Sequence, residues 1–404
     1  MNILYYTWGE ITCEDVVDTL IKMGHEVEVV SYQLSSYTVH PEFIGYIEDK
    51  MHKKHYDCLF SMNYLPLLSK ISLRNHLPYI SWIFDSPCIA LYTDMVFNPY
   101  NYVFHFDLSE VHRFQKLGVK NIWHMPLAVN TTRVQQLLEK CTTPDPKLVN
   151  SEVAFMGNLY NNDFDFFDQI KHMPEYDKGY LDGVMDTQML FFGSDLIGEA
   201  VPESMTDRMS EYATVKLEDE FFAKRRDVLL GMIRKKTTVR ERKEIMQMLA
   251  SSFHATLYSP SDSSMIPELE NRGYLNYRTE MPIMFANTAV NLNITLRTIE
   301  SGISLRVLDV LGAGGFLLTN YQAEIPMFFT NGEDLVMYES REDLVDKIKY
   351  YLEHEEERKQ IAKNGQKKIQ EHFTYDKQLR RIMNQVFGPG TDQCEEGRKL
   401  VGDA

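Results

Sequence analysis

Apolar runs and amphipathic stretches alternate from the first residues of the chain. Asn2 to Tyr6 is short and apolar, Glu14 to Met23 repeats its apolar positions at helical spacing, and Glu26 to Ser31, after Gly24 and His25, is strand-like again. That order predicts a βαβ unit. Cys58 to Ser61, Tyr79 to Phe84, Tyr102 to Phe106 and Asn121 to His124 continue the strands, with helices at Pro66 to Asn75 and Ser109 to Leu117 between them. The first half therefore reads as a doubly wound parallel sheet. Its first βα turn, Thr7-Trp8-Gly9-Glu10, lacks the Gly-x-Gly-x-x-Gly pattern that would hold a dinucleotide, which argues against NAD or FAD there.

Between Val129 and Asn150 the pattern turns polar, and a new strand follows at Val153 to Met156. This places one domain at 1–140 and a second at 150–375. From 161 to about 250 the periodicity is mainly helical, which predicts an insertion in the second domain. Strands resume at Phe253 to Tyr258, Ala289 to Ile294, Phe316 to Thr319 and Leu335 to Tyr338. Helices at Arg341 to Glu353, Glu355 to Glu371 and Tyr375 to Phe387 close the pattern. Residues 376–404 are expected to form a terminal helix and, beyond Gly388-Pro389-Gly390, a frayed tail. The fold class is α/β with two Rossmann-like domains.

Composition narrows the function classes. The 404 residues, 44% hydrophobic and 12% aromatic, suffice for two cored domains. A formal charge of −16 argues against binding nucleic acid through the overall field. The basic run from Lys224 to Lys243 reads as a solvated helix face. No apolar run reaches the roughly 20 residues of a membrane span, and the start is a strand rather than a signal peptide, so the expected location is cytoplasmic. Five scattered cysteines fit a reducing compartment and show no metal-ligand spacing. Asp163-Phe164-Asp165, the one Asp-x-Asp spelling considered, falls in the helical insertion rather than at a strand end. No metal site and no resident cofactor are expected.

The most informative stretch runs from Gly302 to Asn320, where a Gly/Ser segment opens a short helix that stops at glycines and leads into an apolar strand. Free N–H groups and the positive dipole end at such a start suit a diphosphate. Arg306 and Asp309 stand one turn apart on that helix. Gly157, Asn293 to Arg297, and Ser301 to Ser304 fall at strand ends, where open α/β sheets bind ligands.

Several segments together resemble the bacterial glycosyltransferases of the spore-maturation, CgeB-like type, which have the two-Rossmann-domain GT-B architecture. They are Tyr79 to Pro87, Met125 to Ala128, Val153 to Tyr160, Asn291 to Thr295, and the stretch from Gly302 running on to Glu371-His372-Phe373-Thr374. The resemblance implies two domains facing across a cleft. It implies metal-independent transfer of a sugar from a nucleotide diphosphate donor, UDP being the expected nucleotide, to a glycan, lipid-linked glycan or protein hydroxyl. The donor is expected on the second domain and the acceptor on the first. Retaining relatives carry two glutamates separated by seven residues; here Asp309 takes the second place, suited to ribose hydroxyls, and Ser301 stands at the first.

Donor-binding candidates are Gly157, Asn158, Asn293, Arg297, Ser301, Gly302, Ile303, Ser304, Arg306 and Asp309, with Tyr277 and Arg278 in the loop that reads the nucleobase in such enzymes. Arg297 and Arg306 suit the diphosphate, because a guanidinium matches phosphate oxygens in pairs. Arg306 has the alternative of an i, i+3 contact with Asp309, Tyr277 of capping the sheet, and Asn158 and Asn293 of serving as turn residues. A catalytic base is sought at Asp85, or in His105 with Asp107. Asp85 is alternatively a helix cap, and the pair a core histidine beside a capping aspartate. Two other functions fit the same fold: a non-catalytic nucleotide-sugar-binding protein, and a nucleotide-sugar epimerase.

Overall fold

Burial on both faces selects the apolar runs of the first half as parallel strands: in the computed structural model, which describes residues 1–161, 165–213 and 220–389, two of them are buried at every position. The first half runs β1 (Asn2–Thr7), α1 (Cys13–Lys22), β2 (Glu26–Ser31), α2 (Pro41–Lys53), β3 (Cys58–Met62), α3 (Pro66–Asn75), β4 (Tyr79–Ile83), β5 (Asn101–His105), α4 (Leu108–Lys116), β6 (Ile122–His124) and α5 (Thr131–Lys140). Its six strands are all parallel in the order β2-β1-β3-β4-β5-β6. The order reverses between β1 and β3, so the carboxyl ends of those two strands form a switch point.

The second half begins with β7 (Val153–Met156), then α6 (Glu175–Gln188), α7 (Leu196–Ala200), α8 (Glu203–Tyr212) and α9 (Arg225–Ser252). It continues with β8 (Ala255–Tyr258), β9 (Glu270–Asn271), α10 (Met281–Asn287), β10 (Val290–Asn293), α11 (Leu305–Gly312), β11 (Leu317–Asn320), α12 (Ile325–Phe328) and β12 (Val336–Tyr338). Three helices close it: α13 (Arg341–Glu353), α14 (Glu355–His372) and α15 (Tyr375–Phe387). This sheet is also parallel and six-stranded, in the order β12-β11-β10-β7-β8-β9, with its switch point between β7 and β10.

The inserted helices own a small core of Leu181, Met185, Ile197, Met205, Met209, Leu229 and Ile233. Their tip reaches back to the first half. Phe222 donates its N–H to Tyr92 O at 2.8 Å, and its ring lies against Tyr92 and Phe97. The last helix also returns there: Tyr375 meets Trp82 edge-on at 6.0 Å, and Gln378 Nε2 donates to Pro126 O at 3.2 Å. The proposed frayed tail, 390–404, and Asp163 of Asp163-Phe164-Asp165 lie outside the described residues. Among the described residues, no helix is long and apolar enough to cross a membrane.

Candidate functional site

At the switch point of the second sheet lies a guanidinium that the sequence pattern did not single out. Arg242, on α9, donates from Nη1 to Asn158 O at 2.5 Å and from Nη2 to Ile294 O at 2.6 Å, bridging the turns that follow β7 and β10. Its carbon lies 5.2 Å from the Phe155 ring centre and 5.4 Å from that of Tyr160. The side chain is buried, its Nε has no hydrogen-bond partner, and among the described residues no carboxylate stands within ion-pair distance of it. Burial pushes the guanidinium below its usual pKa; Tyr160, Glu241 and Tyr338 oppose this, and nearby Arg306 acts with it. A buried cation with no directly paired carboxylate, at the carboxyl ends of a parallel sheet, is suited to an anion.

The turns around it are fixed by their own bonds. Asn158 Oδ1 accepts from Ser261 Oγ at 2.8 Å and from Tyr160 N at 2.6 Å. Gly157 leaves no room for a side chain, since a Cβ there would come 2.9 Å from the Phe155 ring. Asn293 Nδ2 donates to Thr295 and Thr319, both at 2.9 Å, and its Oδ1 accepts from Ser304 Oγ at 3.5 Å. Ser304 is the N-cap of α11, yet no side chain caps the helix. The start of α11, where an anion was expected, thus carries no side-chain cap.

Arg306 and Asp309 meet on α11 at 3.2 Å, the i, i+3 contact, while Arg306 also lies 5.3 Å from the Phe285 ring centre. Asp309 is buried and accepts from Tyr277 OH at 3.1 Å. Burial raises its pKa to about 6, against the lowering effects of Arg306 and the Tyr277 hydroxyl. Tyr277 is therefore a buried prop for Asp309 and has no ring face free for a nucleobase, which corrects the expected base contact. Arg278 pairs with Glu14 at 3.2 Å and Asp15 at 3.3 Å on α1, across the two halves. Arg133 joins the same tie, donating to Asp15 at 2.9 Å and lying over the Tyr277 ring.

The diphosphate role expected of Arg297 is likewise corrected. Its guanidinium holds Glu241 through Nε at 2.9 Å and Nη2 at 2.6 Å and reaches Phe191 O through Nη1, so its charge is already balanced by a buried carboxylate. Arg242 was hidden in a basic run read as solvent-facing, but it shares one helix face with Thr238, Ile245 and Leu249, all buried. That periodicity was the available signal.

On the first half, Asp85 follows β4 and is exposed at the sheet's carboxyl edge. Asn63 Nδ2 donates to its carboxylate at 2.7 Å, while Asn63 Oδ1 accepts from the backbone of Phe84 and Asp85. Desolvation raises the Asp85 pKa, with the Asn63 bond opposing. Asp85 caps no helix: the next turn, Ile89–Leu91, starts from Cys88. Its carboxylate is free to take a proton.

His105 and Asp107 do not form a catalytic pair. His105 is fully buried, accepts the Asp107 N–H on Nδ1 at 3.0 Å, and is pushed down to about pKa 3 by burial. Asp107 caps α4 and receives Ser86 Oγ, Glu300 N, Ser301 N and Ser301 Oγ, the last at 2.7 Å. Those bonds consume its lone pairs. Ser301 Oγ also lies 2.7 Å from Glu324, whose other oxygen is 2.6 Å from His124 Nε2. Ser301 is thus an inter-half fastener rather than a donor contact. Gly302 is pressed against the same place, where a Cβ would come 2.9 Å from the Phe106 ring and 3.0 Å from Asp107 Cα. Ile303, next along, is buried in the core.

Known proteins resemble this chain in fold and, over part of its length, in sequence. Residues 237–384 match a family model described as glycosyl transferase-like, a segment that begins on α9 and contains Arg242, Arg306 and Asp309. Sucrose-phosphate synthase from Thermosynechococcus elongatus aligns over 96% of this chain and 100% of its own, with TM-score 0.56 and 9% identity. A glycosyltransferase from Rickettsia africae aligns over 96% and 99%, with TM-score 0.53 and 11% identity. Anabaena HepE, solved with UDP and glucose, aligns over the same shares, with TM-score 0.53 and 9% identity. At such identities the likeness is one of fold, and the fold is the GT-B arrangement of two parallel six-stranded sheets. An uncharacterized protein of Aquifex aeolicus is 29% identical over 93 residues, which span 22% of this chain and 23% of that protein.

Proposed function

We propose that the chain is a glycosyltransferase of the CgeB-like type that binds a nucleotide diphosphate sugar, with UDP as its nucleotide, against the second half. The observation that carries this reading is Arg242: a buried guanidinium without a carboxylate, at the β7/β10 switch point and close to the open first turn of α11. A diphosphate there neutralises Arg242, draws Arg306 from Asp309, and leaves the Asp309 carboxylate for the ribose hydroxyls. Two guanidiniums and the helix start supply the positive charge that a metal supplies elsewhere, so the transfer is metal-independent.

The acceptor approaches from the first half. Asp85 takes the proton of its hydroxyl as that oxygen bonds to the anomeric carbon, the bond from that carbon to the diphosphate breaks, and the nucleoside diphosphate leaves with the electron pair. The enzyme works in the cytoplasm, on a growing glycan or lipid-linked glycan of the cell surface. A non-catalytic nucleotide-sugar-binding role is the second reading, favoured by Ser301, a fastener where retaining relatives carry a glutamate.

Thermal shift and nucleotide release against a panel of nucleotide sugars test the reading. Arg242→Ala should weaken UDP binding about 10- to 100-fold, with Arg242→Lys intermediate and circular dichroism unchanged. Because Arg242 also ties two turns, Arg306→Ala serves as a second variant. Undiminished UDP affinity in both folded variants would remove the diphosphate site; UDP-sugar binding without release of UDP, whatever the acceptor, would favour the second reading.

A further inference from the structure

The switch point of the first sheet carries an unusual surface residue. Trp8 stands just beyond β1 and is 49% exposed, yet it is held firmly. Its Nε1–H donates to Met62 O, at the end of β3, at 3.1 Å, so the indole spans the gap between the two strands where the chain order reverses. Its backbone N–H donates to Glu10 Oε2 at 3.1 Å. Glu10 is buried and also takes the hydroxyls of Tyr5 at 2.6 Å and Thr7 at 2.9 Å. Gly9, at φ +94, supplies the left-handed turn that this arrangement requires.

A buried carboxylate, three hydrogen bonds and a glycine turn thus keep a large aromatic face in solvent. Single exposed apolar side chains are ordinary; this one is distinguished by being pinned at the switch point, where open α/β sheets bind their ligands. Met62, which receives the indole N–H, precedes Asn63, which holds Asp85. The apolar face and the free carboxylate therefore belong to one connected set of strand ends, β1, β3 and β4.

We propose that Trp8 is the platform on which a pyranose ring of the acceptor stacks, with Asp85 receiving the proton of the hydroxyl that is glycosylated. A pyranose presents a face of C–H groups, partly positive and weakly hydrated, that matches the negative face of an indole; its rim of hydroxyls matches Asp85 and Asn63. A peptide serine or threonine offers the hydroxyl but no such face. The acceptor class is therefore a carbohydrate. The proposal rests on the glycosyltransferase reading for the transfer step, although sugar binding at Trp8 is measurable without turnover.

Trp82 is fully buried and Trp123 is half-buried, stacked against Tyr102 and Phe104, so acrylamide quenching of indole fluorescence reports chiefly on Trp8. The probes are methyl pyranosides of glucose, galactose, mannose and N-acetylglucosamine, with glycerol and a Ser/Thr peptide as controls. Expected is protection of the full-length protein by at least one pyranoside and by neither control. In an acceptor-dependent UDP-release assay with the protecting sugar, Trp8→Ala should raise KM about tenfold with little change in kcat. Trp8→Phe should restore part of that affinity, whereas a merely structural role would not discriminate sugar from glycerol.

No protection by any pyranoside, equal protection by glycerol, protection by the peptide alone, or an unchanged KM in Trp8→Ala would each overturn the platform. UDP binding, read by thermal shift on the same samples, reports separately on the donor site. Sugar protection without UDP binding would leave the platform and remove the transferase reading; UDP binding without sugar protection would do the reverse.

Discussion

Asp309 is buried, and although Arg306, the Tyr277 hydroxyl and the more distant Arg133 support its charge, burial raises its pKa from 3.8 to about 6. The folded state then binds more protons than the unfolded one between those values, so this group's contribution to stability falls as pH rises through that window and is level above it. His105 and Glu110 titrate in overlapping ranges, His105 pushed down to about 3 and Glu110 up to about 7, both chiefly by burial. The difference between wild type and Asp309→Asn isolates Asp309. Thermal denaturation from about pH 4 to about pH 7 should show the variant gaining on wild type as pH rises, while its affinity for UDP falls, since an amide accepts fewer ribose hydroxyls than a carboxylate. A pH-independent difference would mean that Asp309 is ionised without cost and that the Arg306 pair dominates. Charge compensation also separates Arg242 from Arg297. Arg242 is buried and Arg297 partly buried beside the second sheet, but only Arg297 has its charge met by a bidentate carboxylate.

The element that carries most of the site is α11, and what precedes it is set by close packing. Gly302 has neither an unusual φ nor open space; it is small because Phe106 and Asp107 occupy the position of a side chain. Gly302→Ala should therefore push the α11 segment away from β5, costing about 1–3 kcal/mol in chemical denaturation and lowering turnover more than UDP affinity. Loss of less than the error of the measurement would show that the halves yield at this seam. Elements of this kind were legible in the sequence where periodicity was long or clean: Pro66–Asn75, Val153–Met156, Arg341–Glu353 and Tyr375–Phe387 fall where the pattern put them. Others were hidden for physical reasons. The helix Pro41–Lys53 has Gly45 within its apolar stripe, Thr131–Lys140 buries little beyond Thr131 and Val134, and Glu270–Asn271 is too short to show alternation. Strand ends could be located from sequence, but not the partners that meet there. Asp107 and Ser301 are 194 residues apart and Arg297 and Glu241 are 56 apart, so which arginine is neutralised and which is left for a ligand is decided by tertiary contact alone.

At the scale of the molecule, the halves are fastened in several ways. Just before α5, Val129 N donates to Phe373 O at 2.9 Å beside the return into α15. Asp15 is shared by Arg133 and Arg278, Asp107 by both sides of the seam, and the insertion tip rests on Tyr92 and Phe97. One buried apolar cluster contains Ile3, Phe60 and Trp82 of the first sheet together with Leu308, Leu317 and Leu379. Unfolding either half alone would expose the other's inner face and strand its buried ions, which makes partial unfolding costly. Calorimetry of the full chain should accordingly give one transition rather than two, and a bound UDP sugar should move that transition as a unit, by about 2.7 kcal/mol at a hundredfold excess over Kd. Two resolved transitions, with only the later or earlier one responding to UDP, would mean that the seam is weak and that α15 and the insertion tip open freely. In that case Arg242 and Trp8 would sit on independently moving bodies, and transfer would require a closure step that a single fastened core does not need.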